Sequence, residues 1–167
     1  MIIAAAMIIT QKTPFYPEGG GQVGDQGTFE RDGNVFVVHD TQKQGKTIFH
    51  IGEVTEGRFE VGDIIKADID QRRREVMCNH SATHLLHAAL RQIVGDHVVQ
   101  KGSLVNDDRL RFDFTHTSPL TPAMIHDLEV MINDQIRRNH HMVTEVMPLA
   151  EARQLNIMAL FDEKYED

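Results

Sequence analysis

The sequence predicts an α+β fold with a small β-barrel-like N-terminal lobe, followed by an antiparallel sheet backed by two long helices. Short β-type runs punctuated by glycines fill the first 70 residues. Two later stretches, 70–95 and 122–139, carry apolar residues at the three-and-four spacing of half-buried helices. Between them, residues 109–114 alternate apolar and charged side chains, as an antiparallel strand does. We therefore expect a β-rich lobe at 1–70 and an α+β core at 71–167.

Local patterns place the remaining strands and the short elements. Apolar runs separated by glycine turns predict strands in the first lobe at 2–10, 28–30, 34–39, 46–50 and 63–69. His39 and His50 fall on two of these strands, and we interpret both as structural histidines with satisfied ring nitrogens. The later elements are predicted to be a hairpin of 97–105 and 109–114 turning at 106–108, a strand at 142–147 and a short helix at 148–155.

Caps and periodicity define the two long helices. Asp70 is placed to cap the first helix, which should end near Gly95. Thr121 and Pro122 begin the second, which should end near Asn139. The buried stripes are predicted to be Met77, Leu85, Leu86, Ala89, Leu90 and Ile93 in the first helix, and Ile125, Leu128, Met131, Ile132, Gln135 and Ile136 in the second.

A histidine pair marks the first helix as a candidate metal site. His80 and His84 are four residues apart, so both rings project from one helix face and could hold one divalent metal. A chance pair on an amphipathic helix is the alternative interpretation. His87 lies on a neighbouring stripe of the same helix and could line the same pocket. Ser81 stands where a metalloprotease of this spacing has its glutamate base, which argues against peptide hydrolysis of that kind. Cys78 is rotated about 200° from His80 and is predicted to be a small core residue.

A glycine-rich loop is the second notable feature. Residues 13–27, TPFYPEGGGQVGDQG, contain two prolines and five glycines and should be irregular. The glycines match G-x-G-x-x-G formally, but no helix opens directly after them, which argues against a dinucleotide site. No Gly-Lys-Ser/Thr follows either, so a phosphate-binding P-loop is absent from the sequence. A turn scaffold and a ligand-facing loop both remain possible interpretations.

Composition bounds the partners and the compartment. The formal net charge of −8 argues against a broad nucleic-acid-coating surface, although a local basic patch could still contact a short RNA end. The single cysteine suits a reducing compartment, and the apolar run at the N-terminus is too short to span a bilayer. We therefore expect a cytoplasmic protein with no membrane partner and no DNA partner.

Several motifs together resemble the editing domain of alanyl-tRNA synthetase. They are the loop at 13–27, NHSATHLLHAAL at 79–90 and VVQKGSLVNDDRLRFDFTH at 98–116, while MALFDEKYED at 158–167 resembles the start of the following motif. Free-standing trans-editing proteins and the editing domain of threonyl-tRNA synthetase share the fold and the His-x-x-x-His. The similarity covers essentially the whole chain in order, and it implies a synthetase fragment, with a free-standing trans-editing protein as the alternative.

The resemblance implies hydrolysis of mischarged tRNA(Ala), which removes serine or glycine as the editing activity of an ATP-dependent alanine–tRNA ligase. An alanine pocket cannot strongly reject a slightly smaller or hydroxyl-bearing amino acid, so a second hydrolytic site is needed. The implied partners are the acceptor end of tRNA(Ala) and the rest of the synthetase chain. A non-catalytic tRNA-binding fragment and an unrelated small-molecule binder using the glycine loop are the competing hypotheses.

The resemblance also implies roles for individual residues. Zinc would be held by His80 and His84 together with a cysteine and a histidine downstream of 163–165, so we expect this chain to carry half the ligand set and to bind zinc weakly or not at all. The metal could activate water or could recognise the substrate; both remain open. The other implied residues are Thr13 and Gln22 for side-chain and water placement, Gly20 and Gly21 for close approach of the adenosine, and Arg72, Arg73, Lys101 and Arg111 for phosphate contact. The alternative interpretation is that the loop residues only maintain the loop conformation and that the charged residues are only solvated by water.

Overall fold

The computed structural model describes residues 6–141, 143, 145–148, 151 and 153–155 of the chain. The chain forms two compact units, of which the first is Met1–Ser81 with Ser103–Arg111 and the second is Ala82–Gly102 with Phe112–Asp167. A long helix and a hairpin each contribute residues to both units. The α+β class predicted from the sequence is confirmed.

The first unit contains a five-stranded antiparallel sheet. Its strands are β1 (Ala6–Ile8), β2 (Gly27–Arg31), β3 (Asn34–Gln44), β4 (Thr47–Glu56) and β5 (Lys66–Ile69). Their spatial order is β1-β4-β3-β2-β5, with every neighbouring pair antiparallel. Because β1 and β5 lie at opposite edges, the sheet formed by the described residues is open, and the expectation of a barrel-like lobe is not met there.

The central strand β3 runs five residues beyond its predicted end at His39. The residues that follow His39 are polar, so they show no apolar alternation that would indicate a longer strand. A bulge between Val38 and Asp40 shifts the register, and Asp40–Gln44 then continue to pair with β4. The bulge explains why a simple alternation of polar and apolar residues underestimates the strand.

The first unit is built around a cluster of aromatic side chains. Phe15, Phe29, Phe36 and Val38 are all buried to within a few per cent of their surface. Phe15 meets Phe29 edge-on with ring centroids 5.3 Å apart. Phe15 belongs to the glycine-rich loop, so the loop begins with a side chain anchored in the core of the sheet.

Two helices and a hairpin supply the remaining regular structure. Their bounds are α1 (Arg73–Ile93), β6 (Gln100–Val105), β7 (Leu110–Phe114) and α2 (Pro122–Arg138), with a 3₁₀ turn at Arg153–Leu155. The core of the second unit is aliphatic and consists of Ala89, Leu90, Val98 and Leu128, with Phe112 and Phe114 packed against it. None of the helices in the part of the chain that is described has the length and apolarity needed to cross a membrane.

The helix ends follow local chemistry, with one shift. Thr121 caps α2 by accepting a hydrogen bond from the backbone of Met124, and Asn139 ends it in the left-handed conformation. Asp70 accepts from the backbone of Arg72 at 2.9 Å, but this closes a turn, and α1 begins only at Arg73. The predicted helix limits are therefore correct to within about three residues.

Some predicted buried positions on the helices are wrong. Met77 is 56% exposed while its neighbour Val76 is buried, and Cys78 is exposed rather than a core residue. Ile125 and Ile136 of α2 are also about half exposed, at 45% and 53%. Adjacent residues on a helix point about 100° apart, so a small rotation of the helix buries one and exposes the other. Periodicity alone does not determine that rotation.

The last predicted elements are met only in part. Among the described residues of 142–147, none forms a strand, and Met142 and Thr144 lie outside the described residues. The short helix expected at 148–155 is represented by the 3₁₀ turn and by a backbone hydrogen bond from Glu151 to Pro148. The packed residues expected at 158–167 lie outside the described residues.

Candidate functional site

The glycine-rich loop is folded upon itself by short-range hydrogen bonds. The backbone N–H of Tyr16 donates to Asp25 Oδ2 at 2.7 Å, and that of Asp25 donates back to the Tyr16 carbonyl at 2.9 Å. Gly19 and Gln22 exchange a second reciprocal pair of backbone bonds at 3.1 and 2.9 Å. The loop is therefore a specific structure held by defined backbone hydrogen bonds, and not a loose connection.

Strand β6 fixes the middle of this loop. The backbone of Val105 donates to the Gly21 carbonyl at 2.8 Å and accepts from Val23 at 3.1 Å. Gly21 has φ +82°, and a Cβ there would lie 2.9 Å from the Ser103 carbonyl oxygen. Glycine at this position is thus explained by the approach of β6, whereas Gly20, with φ +57°, is exposed to solvent.

Gln22 connects the loop to the histidine helix. Its side chain is buried, and Oε1 lies 2.7 Å from His80 Nδ1. An amide oxygen can only accept, so Nδ1 carries the proton and donates it to Gln22. The lone pair of the neutral ring is then on Nε2, which is the arrangement by which a hydrogen-bonded partner orients a metal-ligating histidine.

Helix α1 presents the two predicted ligands one turn apart. It is continuous through His80 and His84, which lie on one face of it because they are four residues apart. The Asn79 side chain donates to the Asn106 carbonyl at 2.8 Å and so ties this part of the helix to the turn of the hairpin. Within the described part of the chain, no group of three or more His, Cys, Asp or Glu side chains is arranged to hold a metal ion.

His87 has a different environment from that expected of a pocket residue. It is buried, and its ring packs against Phe112 with centroids 5.2 Å apart. Burial lowers the pKa of His87, a smaller opposing effect comes from the backbone of Val98, and the nearby Arg91 and His84 lower it further. The ring is held by packing, but among the described residues neither of its buried nitrogens has a hydrogen-bond partner of ordinary geometry.

Thr13 is held by a buried histidine. Its hydroxyl lies 2.7 Å from His50 Nε2 and accepts the backbone N–H of Phe15 at 3.1 Å. His50 Nδ1 lies 3.0 Å from the Ile8 carbonyl. The expectation that His50 is a satisfied structural histidine is confirmed, and its partner is one of the residues predicted to serve the site. His39, by contrast, is exposed beside Glu53.

Arg72, just before α1, and Arg73, its first residue, are both engaged by acidic groups. Arg72 bonds Asp70 at 3.0 Å and Gln26 at 2.7 Å, and its guanidinium holds the pKa of Asp70 below its ordinary value. Arg73 contacts the buried Asp25 at 3.3 Å. Contact with phosphate stays a prediction for both, and it would have to compete with these carboxylates. The other two predicted cations, Lys101 and Arg111, are exposed.

The glycine-rich loop and the sheet match a known family. Residues 2–73 match the family model of class II (A) tRNA synthetases. This agrees with the resemblance to an alanyl-tRNA synthetase fragment at the level of the synthetase family. The matched region contains Thr13, Gln22 and His50 and ends at Arg73, before the two histidines of α1. The match supports a role related to aminoacyl-tRNA synthesis for the chain.

Sequence reasoning missed the partners of the predicted residues rather than the residues themselves. The sequence predicts His50 on a strand but indicates neither its contact with Thr13 nor those of Asp25 with Arg73 and of Gly21 with Ser103. Each contact joins positions 37 or more residues apart in sequence. The contact between the buried His50 and Thr13 can be predicted only when the pairing of β1 with β4 is known.

Proposed function

We propose that this chain is the editing part of an alanyl-tRNA synthetase, which hydrolyses the ester of seryl- or glycyl-tRNA(Ala). The proposal combines the resemblance of the whole chain with the match of residues 2–73 to class II tRNA synthetases. The acceptor end of the tRNA and the rest of the synthetase are the proposed partners. Such an activity suits a site that must read a small amino acid on a nucleotide end.

The observation that carries the proposal is the hydrogen bond between Gln22 and His80. It connects the two motifs that the resemblance singles out, the glycine-rich loop and the His-x-x-x-His helix. Burying a glutamine amide is costly unless its polar atoms have partners, so the pairing with a histidine ring is a specific arrangement. A merely structural loop would not need its buried amide to orient an imidazole on a separate helix.

The donor chemistry fits zinc. With Nδ1 of His80 bonded to Gln22, a metal would be bound through Nε2 of that ring, and His84 on the same helix face would be a second ligand. A bound zinc ion would supply Lewis-acid chemistry to the ester. Catalytic zinc usually has three protein ligands, so we propose that these two histidines alone bind it weakly.

The chain's own residues would perform the binding and orientation. Gln22 holds the ring of His80 in one tautomer, and Thr13 offers a fixed hydroxyl oxygen within the same loop. The exposed backbone at Gly20 would let the terminal adenosine approach without a side chain in the way. Lys101 and Arg111, both exposed, are two further proposed phosphate contacts.

The test is deacylation of seryl-tRNA(Ala) by this chain, with zinc and after chelation. Activity that depends on zinc supports the proposal. Binding of the tRNA without hydrolysis under either condition would instead identify a non-catalytic RNA-binding fragment. A small ligand that binds independently of tRNA would favour the third hypothesis, a small-molecule binder.

A matched pair of variants at Gln22 tests the observation that carries the proposal. Gln22→Ala removes the acceptor for His80, and we expect zinc affinity or hydrolysis to fall about 10- to 100-fold. Gln22→Glu keeps an acceptor oxygen and should retain more of both. Calorimetric titration with zinc measures the affinity directly. Equal affinity and equal hydrolysis in the wild type and in Gln22→Ala would contradict the proposed role, and tight zinc binding by the wild type would show that local ligands complete the shell.

A further inference from the structure

His50 occupies the centre of the first unit's core. It is completely buried on β4, with Ile8 of β1 and Thr41 of β3 as its paired neighbours. Its ring meets Phe29 at a centroid distance of 4.8 Å and Phe15 at 5.3 Å, both edge-on. These two phenylalanine rings, together with two hydrogen bonds, hold the His50 ring in one orientation.

The hydrogen bonds determine which nitrogen carries the proton. The carbonyl of Ile8 can only accept, so Nδ1 of His50 is the donor in the 3.0 Å contact. Burial lowers the pKa of His50 and the bond to Ile8 opposes this less strongly, so the ring is neutral near pH 7. Nε2 of the neutral ring then has a lone pair, and the Thr13 hydroxyl must donate to it in the 2.7 Å contact.

This assignment fixes what Thr13 can offer to a ligand. A hydroxyl has one proton and two acceptor lone pairs. The proton points to His50, and one lone pair accepts the N–H of Phe15 at 3.1 Å. One acceptor position is left, so the side chain of Thr13, which is only partly buried, can take up one further donor.

We propose that His50 is a positioning residue that makes Thr13 a hydrogen-bond acceptor for an O–H group in the reaction. The donor would be the hydroxyl of a seryl ester or the attacking water, which share this chemistry. The inference rests on the proposed hydrolytic function for its role in the reaction. The tautomer of His50 and the direction of the hydrogen bond are properties of the chain itself and can be tested without activity.

Nuclear magnetic resonance tests the proton assignment. Long-range ¹⁵N–¹H spectra of the labelled chain near pH 7 should show His50 protonated at Nδ1 and unprotonated at Nε2. In Thr13→Val, which keeps the shape but removes the hydroxyl, the Nε2 resonance should shift because its donor is lost. A ring protonated at Nε2 would overturn the inference whether or not the chain hydrolyses any ester.

Two substitutions at His50 separate the two ring nitrogens. The amide of His50→Gln can reach the Nε2 position and offer Thr13 an acceptor, whereas that of His50→Asn reaches only the Nδ1 position. We expect His50→Asn to lower the hydrolysis of seryl-tRNA(Ala) about tenfold, the value of one ordinary hydrogen bond, and His50→Gln to lower it less. Circular dichroism and thermal unfolding confirm that both variants fold.

A double-mutant cycle shows whether His50 acts through Thr13. Adding His50→Asn to Thr13→Val should have little further effect on hydrolysis if the two residues share one function. The inference would be overturned if the fold-losses of hydrolysis in the two single variants multiplied in the double variant. It would also be overturned if His50→Asn and His50→Gln lost the same activity. Either result would mean that His50 has a general structural role.

Glycyl-tRNA(Ala) distinguishes the two donors. A loss confined to the seryl ester identifies the substrate hydroxyl, because glycine has none. An equal loss with both esters, still non-additive with Thr13→Val, identifies the attacking water. Absence of hydrolysis in the wild type would contradict the proposed function, and the spectroscopic test of the hydrogen bond would still stand.

Discussion

The two units of this chain differ in how a buried histidine and its neighbours are held. In the first, four polar residues are at most 5% exposed, and each takes part in a defined hydrogen bond; they are Gln22, Asp25, Thr41 and His50. The second unit is built around Ala89, Leu90, Val98 and Leu128, and its buried His87 packs against Phe112 with no hydrogen bond from the described residues to either ring nitrogen. The loop of the first unit therefore depends on the geometry of its hydrogen bonds. The helices of the second unit depend mainly on apolar residues of suitable size.

The difference has a physical reason. A helix satisfies its own backbone groups, so its burial requires only an apolar face. The glycine-rich loop has no repeating backbone pattern, and its conformation depends on individual contacts such as that between Tyr16 and Asp25. Irregular segments of this kind are where proteins commonly place ligand-binding groups.

The largest expected effect comes from truncating one core residue in each unit. Phe29→Ala should lower the free energy of unfolding by about 3–5 kcal/mol, and Leu90→Ala by about 2–5 kcal/mol, because each leaves a cavity. Of these two residues, Phe29 packs against the His50 ring, so Phe29→Ala and not Leu90→Ala should also change the ring resonances of His50. Denaturant unfolding and the same ¹⁵N spectra measure both effects. A similar change of the His50 signal in Leu90→Ala would show that the two cores are not independent.

A smaller effect is expected at two glycines that share one backbone conformation. Gly21 and Gly33 both have φ +82°, but an added Cβ meets Ser103 at the first and nothing within 4 Å at the second. Gly33→Ala should cost about 1–2 kcal/mol for its left-handed backbone. Gly21→Ala should cost clearly more, because β6 must also move.

Denaturant midpoints of the two glycine variants give the comparison directly. Equal losses of stability in the two variants would mean that the loop and β6 can move apart at little cost in free energy. The loop would then not be held in one specific conformation. A larger cost at Gly21 would confirm that the contact with Ser103, and not the conformation alone, requires glycine there.

The smallest expected effect is a dependence of stability on pH, to which each unit contributes one histidine. Burial lowers the pKa of His50 and of His87 below the ordinary 6.5 of the unfolded chain. The unfolded state therefore binds more protons as the pH falls below 6.5, and the stability present above that value is progressively lost. His50→Gln and His87→Leu should each make the loss between about pH 7 and pH 5 shallower.

Unfolding measured at several pH values checks this prediction. Each variant is compared with the wild type for the slope of the free energy against pH, and not for its absolute stability. Unchanged slopes in both variants would contradict the assignment of these two histidines as neutral, buried groups.

Much of the chain could be predicted because its signals are local. Thr121 and Pro122 indicate the start of α2, because threonine is a common N-cap and proline is tolerated in the first turn. Asn139 ends the helix in the left-handed conformation. The turn at 106–108 was found for the same reason, since Asn106 accepts the backbone N–H groups of Asp108 and Arg109 through its own side chain. In these cases the residues that form the structure are neighbours in sequence.

Other features could not be predicted, because they depend on residues far apart in the chain. The exposure of Met77 and the burial of Val76 depend on what packs beside the helix, and periodicity does not contain that information. The open edges of the sheet follow from the order of its strands, which spacing leaves undetermined. The carboxylates that engage Arg72 and Arg73 include groups from other segments, so the arginine run alone suggested a freer charge than the structure has.

By itself, the sequence determined the α+β class, the irregular glycine-rich loop and the presence of two histidines on one helix face, because each rests on local conformational preference. Only the tertiary structure decided that Gln22 orients His80 and that His50 directs the hydroxyl of Thr13. Those pairings join residues 58 and 37 positions apart, and a hydrogen bond forms only where folding brings donor and acceptor within about 3 Å.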